Sequence, residues 1–205
     1  MYIIKNKFAK FAQVVVIGLA LVFTFSCSGG DFKYGSMKDN NGKTYKTIKI
    51  GKQTWMAENL NFDVPDNDTD VCYGNDPANC NKYGRLYNWK TAMSACPNGW
   101  HLPSEKEWDE LVDFVGDRET AGKYLKSKNG WNENGNGEDK YGFFALPGGG
   151  GLSVGSFVGF YGCWWGSSEY NSGSAYSSDI RNDLEYVFGG YVDKDYLFSV
   201  RCVQD

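Results

Sequence analysis

Three groups of side chains in this chain have the types and spacing that chemistry needs. His101 is the single histidine among 205 residues, so any Ser-His-Asp or Cys-His mechanism has to run through it. It stands in a turn between Trp100 and Leu102, where a packed, hydrogen-bonded ring is the expectation rather than a general base. Asp66, Asp68 and Asp70 recur at alternate positions, as in the first half of a calcium loop. Position six of that loop is Val71 and position twelve is Pro77, where an EF-hand needs Gly and Glu; a solvated acidic loop is expected instead. Glu133, Asn134, Asn136, Glu138 and Asp139 gather acid and amide oxygens of the kind a hard cation takes, or that simply make a polar turn. Around and after them come Trp131, Tyr141, Phe143, Phe144, Phe157, Phe160, Tyr161 and the Trp164-Trp165 pair, with Glu169 beyond. Such rings suit a sugar-stacking or protein-binding surface, and core packing accounts for most of them equally well. The ligand-binding set read this way is Trp131, Glu133, Asn134, Glu138, Asp139, Tyr161, Trp164, Trp165 and Glu169. No catalytic residue, metal site or resident cofactor is expected, and calcium at most loosely bound.

The elements that must position these groups centre on residues 96–115. Pro97-Asn98-Gly99 turns the chain, and Ser104 with Glu107 forms a capping box. Trp108, Leu111, Val112 and Val115 then fall on one apolar helical stripe, stopped by Gly116. Upstream, residues 43–50 alternate with β-branched side chains, and a Gly51-Lys52 turn leads into 53–57; this predicts a hairpin. A helix is predicted over 84–96, with Leu86, Trp89, Met93 and Cys96 on one face. A short amphipathic piece follows around 120–125. Residues 128–163 are too long for an ordinary connection and too aromatic for a disordered linker, so they read as an ordered functional loop. Strands are predicted at 164–168, 175–180, 185–188 and 197–203. The order of elements is that of an α+β domain.

The N-terminus carries Lys5, Lys7 and Lys10 ahead of an apolar run at 14–25. That run is shorter than the roughly 20 residues of a membrane span and fits a secretory signal, removed from the mature chain. Thr24-Phe25-Ser26-Cys27 resembles the lipobox of bacterial lipoproteins, with Thr24 where leucine is usual, which makes Cys27 the lipidation site. The domain reading is a signal over 1–26, a tether over 27–38 and one domain over 39–205. Of 21 basic and 25 acidic residues, only the three lysines lie in the signal. The mature chain therefore keeps 18 bases against 25 acids, without a basic run, and nucleic acid is excluded as a partner. Beyond Cys27 there remain Cys72, Cys80, Cys96, Cys163 and Cys202, an odd number for an oxidising compartment. Cys72 and Cys80 are close enough to staple one loop.

The blocks IKIGKQTWMAENL, KYGRLYNWKTAMSACPNGWHLPSEKEWDELV, GFFALPGG, WWGSSE and FSVRCV resemble the signatures of the Fibrobacter succinogenes major paralogous domain. That is a family of exported bacterial domains often carried by lipoproteins, similar in turn to the C-type lectin-like fold. The resemblance implies two helices packed on antiparallel sheets, a first strand paired with the last, and a long loop projecting away from the termini. It also implies a Cys96 to Cys202 disulfide, a local Cys72 to Cys80 staple and a free Cys163. The lectins' Glu-Pro-Asn or Gln-Pro-Asp triplet is absent, as is their Trp-Asn-Asp; Trp164-Trp165-Gly166-Ser167-Ser168-Glu169 stands in that place. Formylglycine-generating enzymes share the broad fold, but their oxidase chemistry needs two neighbouring cysteines near the C-terminus, and Cys202 has none within thirty residues.

These readings combine into an expectation of an exported, lipid-anchored binding or structural module, without catalytic activity, taking a glycan or protein ligand. The resemblance places it as an outer-membrane lipoprotein facing outward, in contact with the membrane through its anchor. The alternatives are an envelope enzyme acting on glycans and a purely structural surface domain without ligand.

Overall fold

The computed structural model describes residues 32–65, 70–152 and 156–205. The signal sequence, Cys27, Asp66 and Asp68 lie outside the described residues. The fold is mixed α/β, with four α-helices and three antiparallel sheets among the described residues. β1 (Gly35–Lys38) pairs with β2 (Thr44–Ile50), which pairs with β3 (Gln53–Met56). β1 thus falls inside the stretch read as tether and is part of the sheet. Next come β4 (Asp70–Val71), α1 (Pro77–Tyr83), β5 (Leu86–Tyr87), α2 (Trp89–Ala95) and β6 (Trp100–His101). α3 (Glu105–Val115) and α4 (Ala121–Leu125) precede the long segment, and β7 (Tyr161–Glu169), β8 (Ser174–Arg181), β9 (Val187–Asp193) and β10 (Val203–Gln204) complete the chain.

The predicted helix over 84–96 is two elements. Leu86 and Tyr87 form β5 against β4, and only at Asn88 does a cap appear, its side chain accepting the Thr91 N–H at 2.9 Å. Apolar residues at helical spacing cannot distinguish one strand pair plus a short helix from one longer helix; Met93, placed on the apolar face, is exposed. The stapled loop holds a helix of its own, α1, started by Asp76 and by a proline at its first turn. At the C-terminus, 197–203 is strand only at its end, and β10 lies between β3 and β6 rather than against the first strand.

Both disulfides implied by the resemblance are present: Cys72 with Cys80 and Cys96 with Cys202. The capping box of α3 forms as the sequence reads, and Trp108, Leu111, Val112 and Val115 are its buried face. That face meets Trp55, Phe143 and Trp164, with ring centroids 4.8 Å (Trp108 to Trp55) and 6.2 Å (Trp108 to Phe143 and to Trp164) apart. Burying each such ring removes roughly 150–250 Å² from water, which makes this aromatic cluster a large part of the driving force for folding. A second cluster, on the other face of the β7–β9 sheet, joins Trp165, Cys163, Ala175 and Phe198 to α2 and the first hairpin. Among the described residues no helix is long and apolar enough to cross a membrane.

Candidate functional site

The described residues of the segment 126–160 form no regular strand, yet their backbone is tied down at many points. Lys126, almost fully buried, donates from Nζ to the carbonyls of Arg181 (3.2 Å), Asn182 (3.3 Å) and Leu184 (3.0 Å). One ammonium thereby caps the whole turn between β8 and β9. Burial lowers the Lys126 pKa, and Glu185 and Asp183 counter part of that. Gly135 and Gly137 let the segment close on its neighbours: a Cβ at Gly135 would sit 2.4 Å from Asn182 O, and one at Gly137 2.5 Å from Lys123 O. Asn132 N–H donates to Gly159 O and Asn182 N–H to Phe160 O, both at 2.8 Å. The segment therefore packs onto the domain instead of projecting from it.

Where these pieces meet, a polar cleft of about 270 Å³ opens, lined by Lys123, Asn134, Asn136, Glu138, Asp183 and Glu185, among others. Lys123 Nζ lies 3.5 Å from Glu138 and 3.6 Å from Glu185. Its ammonium and that of Lys126 supply the positive charge among these oxygens. No group of three or more metal-ligating side chains converges among the described residues.

Beside the cleft stands a ridge of rings. Phe157 is 58% exposed, and its centroid lies 4.9 Å from that of Tyr161. The Arg181 guanidinium lies over Tyr161 at 4.8 Å, donates to Tyr161 Oη at 2.5 Å, and lies 5.4 Å from the Phe188 ring. Strand alternation puts Tyr161, Arg181 and Phe188 on one face of β7–β9; Asp179 shares that face, directly opposite Cys163 and Phe188 in register. Burial pushes the Asp179 carboxyl up to about 6, against the pull of Arg181. Flat ring faces beside charged and amide groups offer apolar contact and hydrogen bonds over one surface, the combination a saccharide presents in reverse.

The residues read from sequence part company here. Asn134 and Glu138 line the cleft; Glu133 is exposed beside it, 3.4 Å from Asn182 Nδ2. Tyr161 belongs to the ridge. Trp131, Trp164 and Trp165 are corrections: all three are buried, with indole N–H groups donating to Ala145 O (3.1 Å), Asn59 Oδ1 (2.9 Å) and Tyr87 O (2.7 Å). They are core: each ring is out of water and each indole N–H has an oxygen to receive it. Asp139 is also buried, accepting the Phe144 N–H at 2.8 Å away from the cleft. Glu169 pairs with Lys194 at the β7–β8 hairpin. Asp70 is buried, accepting Val64 N–H at 3.3 Å and lying 3.4 Å from Arg85. Arg181, Phe188 and Lys126 were absent from the sequence-based set. Phe188 and Arg181 had a faint signal in the alternation of their strands; Lys126 had none.

Both candidate nucleophilic systems are occupied by structure. His101 Nδ1 is 2.7 Å from Asp205 Oδ1 and Nε2 is 2.7 Å from Glu107 Oε1, so neither ring nitrogen is left for a substrate. Burial opposes charge on this ring, but the two carboxylate bonds outweigh it and raise the pKa. Cys163 is free and buried, and burial pushes its thiol far up, away from the thiolate that nucleophilic chemistry needs.

A family model described as the Fibrobacter succinogenes major domain matches residues 48–204. No curated protein and no solved structure matches the chain.

Proposed function

The chain belongs to the Fibrobacter succinogenes major domain family, and from that premise we propose that it is an exported, lipid-anchored binding module of the outer membrane, facing outward and taking a glycan. The single observation that carries the ligand class is the ridge of Phe157, Tyr161, Arg181 and Phe188 beside a cleft of acids and amides. Binding is expected without calcium, since lysine ammonium groups already stand among the cleft's oxygens. The absence of catalysis from this reading is supported by the engagement of both His101 nitrogens and by the burial of Cys163. A C-type lectin-like fold is supported by the bridge from the end of α2 to Cys202 beside β10, and by β6 pairing with β10.

A glycan array probed with the full-length protein, in calcium and in chelator, tests the ligand class. Equal binding in both conditions is expected; no binding in either would overturn the glycan reading in favour of a protein ligand or none. Mass spectrometry of the mature N-terminus should find diacylglycerol on Cys27, and an unmodified residue further along as the first would overturn the anchor.

A further inference from the structure

Away from the ridge and cleft, one aromatic side chain is held in the left-handed region and still faces solvent. Phe144 has φ +56°, a conformation that a bulky L residue keeps only where its surroundings over-determine it. Three bonds do so. Its N–H donates to Asp139 Oδ1 at 2.8 Å, its carbonyl accepts from Arg201 Nη2 at 2.8 Å, and Arg201 Nη1 donates to the Phe143 carbonyl. Arg201 is fully buried, donates from Nε to Asn59 Oδ1 at 2.8 Å, and lies over the Phe143 ring at 4.3 Å.

Core packing explains Phe143, whose ring is buried, but not its neighbour. Phe144 remains 38% exposed, at the edge of a cavity of about 160 Å³ that it shares with Lys43, Glu58, Asn61, Asn81 and Lys82. Glu58 is itself positioned, accepting the Lys46 N–H at 2.6 Å. With the buried Asn59 also in its lining, the cavity brings together one exposed ring, three amide side chains, one carboxylate and two ammonium groups.

We propose that this cavity is a second binding site, for a single pyranose unit carrying a carboxylate, as in an acidic glycan built from uronic acids. The Phe144 ring takes the C–H face of the sugar, Asn61, Asn81 and Glu58 take hydroxyls, and Lys43 with Lys82 takes the carboxylate. A cavity of this size holds one sugar ring and excludes a folded protein surface. The site shares no residue with the ridge, so it stands or falls independently of that reading.

The test is calorimetric titration of the full-length protein in detergent micelles with a galacturonic acid tetramer, against a galactose tetramer as the neutral control. The acidic tetramer is expected to bind at least tenfold more tightly, with affinity falling as salt rises. Phe144→Gly should lower that affinity at least tenfold while the urea midpoint holds or rises, because glycine accepts the left-handed backbone. Lys43→Gln combined with Lys82→Gln should abolish both the preference and its salt dependence, whereas Tyr170→Ala, exposed just past the end of β7 and outside both sites, should leave binding unchanged. Equal binding of the two tetramers, binding of neither, or wild-type affinity in Phe144→Gly would overturn the assignment.

Discussion

The corner at residues 96–115, a turn and a two-residue strand running into α3, and the described part of the segment at 126–160 are both held in place, but by opposite means. The corner uses local and covalent ties: a capping box within four residues, the Cys96–Cys202 bridge, and His101 clasped between Glu107 and Asp205. The long segment uses two buried cations, Lys126 and Arg201, whose hydrogen bonds go to backbone carbonyls and one amide oxygen. A cation with several donors can gather carbonyls that no regular ladder satisfies. What this teaches is that a long loop need not be mobile to carry function. Fixed from beneath, it frees its outer rings for contact.

The largest expected effect breaks the segment's anchor. Arg201→Met leaves the Phe143 and Phe144 carbonyls without their donor and Asn59 Oδ1 with the Trp164 indole N–H alone, and should cost about 3–5 kcal/mol, as removing a buried charged partner does. Urea unfolding measures it; a loss below about 1 kcal/mol would mean that the guanidinium is not the anchor. Opening the corner comes next. Cys96→Ala with Cys202→Ala should destabilise by about 2–5 kcal/mol, with the Cys72–Cys80 bridge intact in non-reducing peptide mapping. Lys126→Met should cost about 1–3 kcal/mol and should raise hydrogen exchange in residues 128–160 more than in α3. Equal acceleration in both would erase the distinction between the two regions.

The smallest effect concerns pH and belongs to the corner. His101 has a raised pKa, so its contribution is complete below the ordinary histidine value and fades as pH rises through the raised one. Burial opposes ionisation of Glu107, but the Ser104 and His101 bonds outweigh it and lower its pKa. Its contribution is present above the ordinary glutamate value and lost as pH falls through the lowered one. The pair is therefore strongest between those ordinary values, about 4.5 to 6.5. With the imidazole 40% exposed and screened by solvent, the gain is about 0.5–1 kcal/mol. His101→Gln should flatten this part of the stability profile, and an unchanged profile would contradict the clasp.

The corner was legible because its determinants are neighbours in sequence. Ser104 and Glu107 announce the cap, and the apolar stripe announces the buried face. The long segment announced only that it was ordered. Whether Trp131 faced inward depended on a contact fourteen residues on, with Ala145, and nothing near Lys126 signals the turn it caps more than fifty residues later. The same limit explains the tryptophan pair. Alternation says that Trp164 and Trp165 face opposite ways; it does not say that both faces of that sheet are covered.

The claim that the fixed segment presents a glycan-binding ridge is tested most directly by running wild-type protein and a Phe157→Ala/Tyr161→Ala variant side by side on one glycan array. Both should unfold at nearly the same urea concentration, since Phe157 is exposed and Tyr161 half-buried. A neutral-glycan signal is expected in the wild type, unaffected by chelator and lost in the variant. An undiminished signal in the folded variant, or no signal in the wild type, would contradict it.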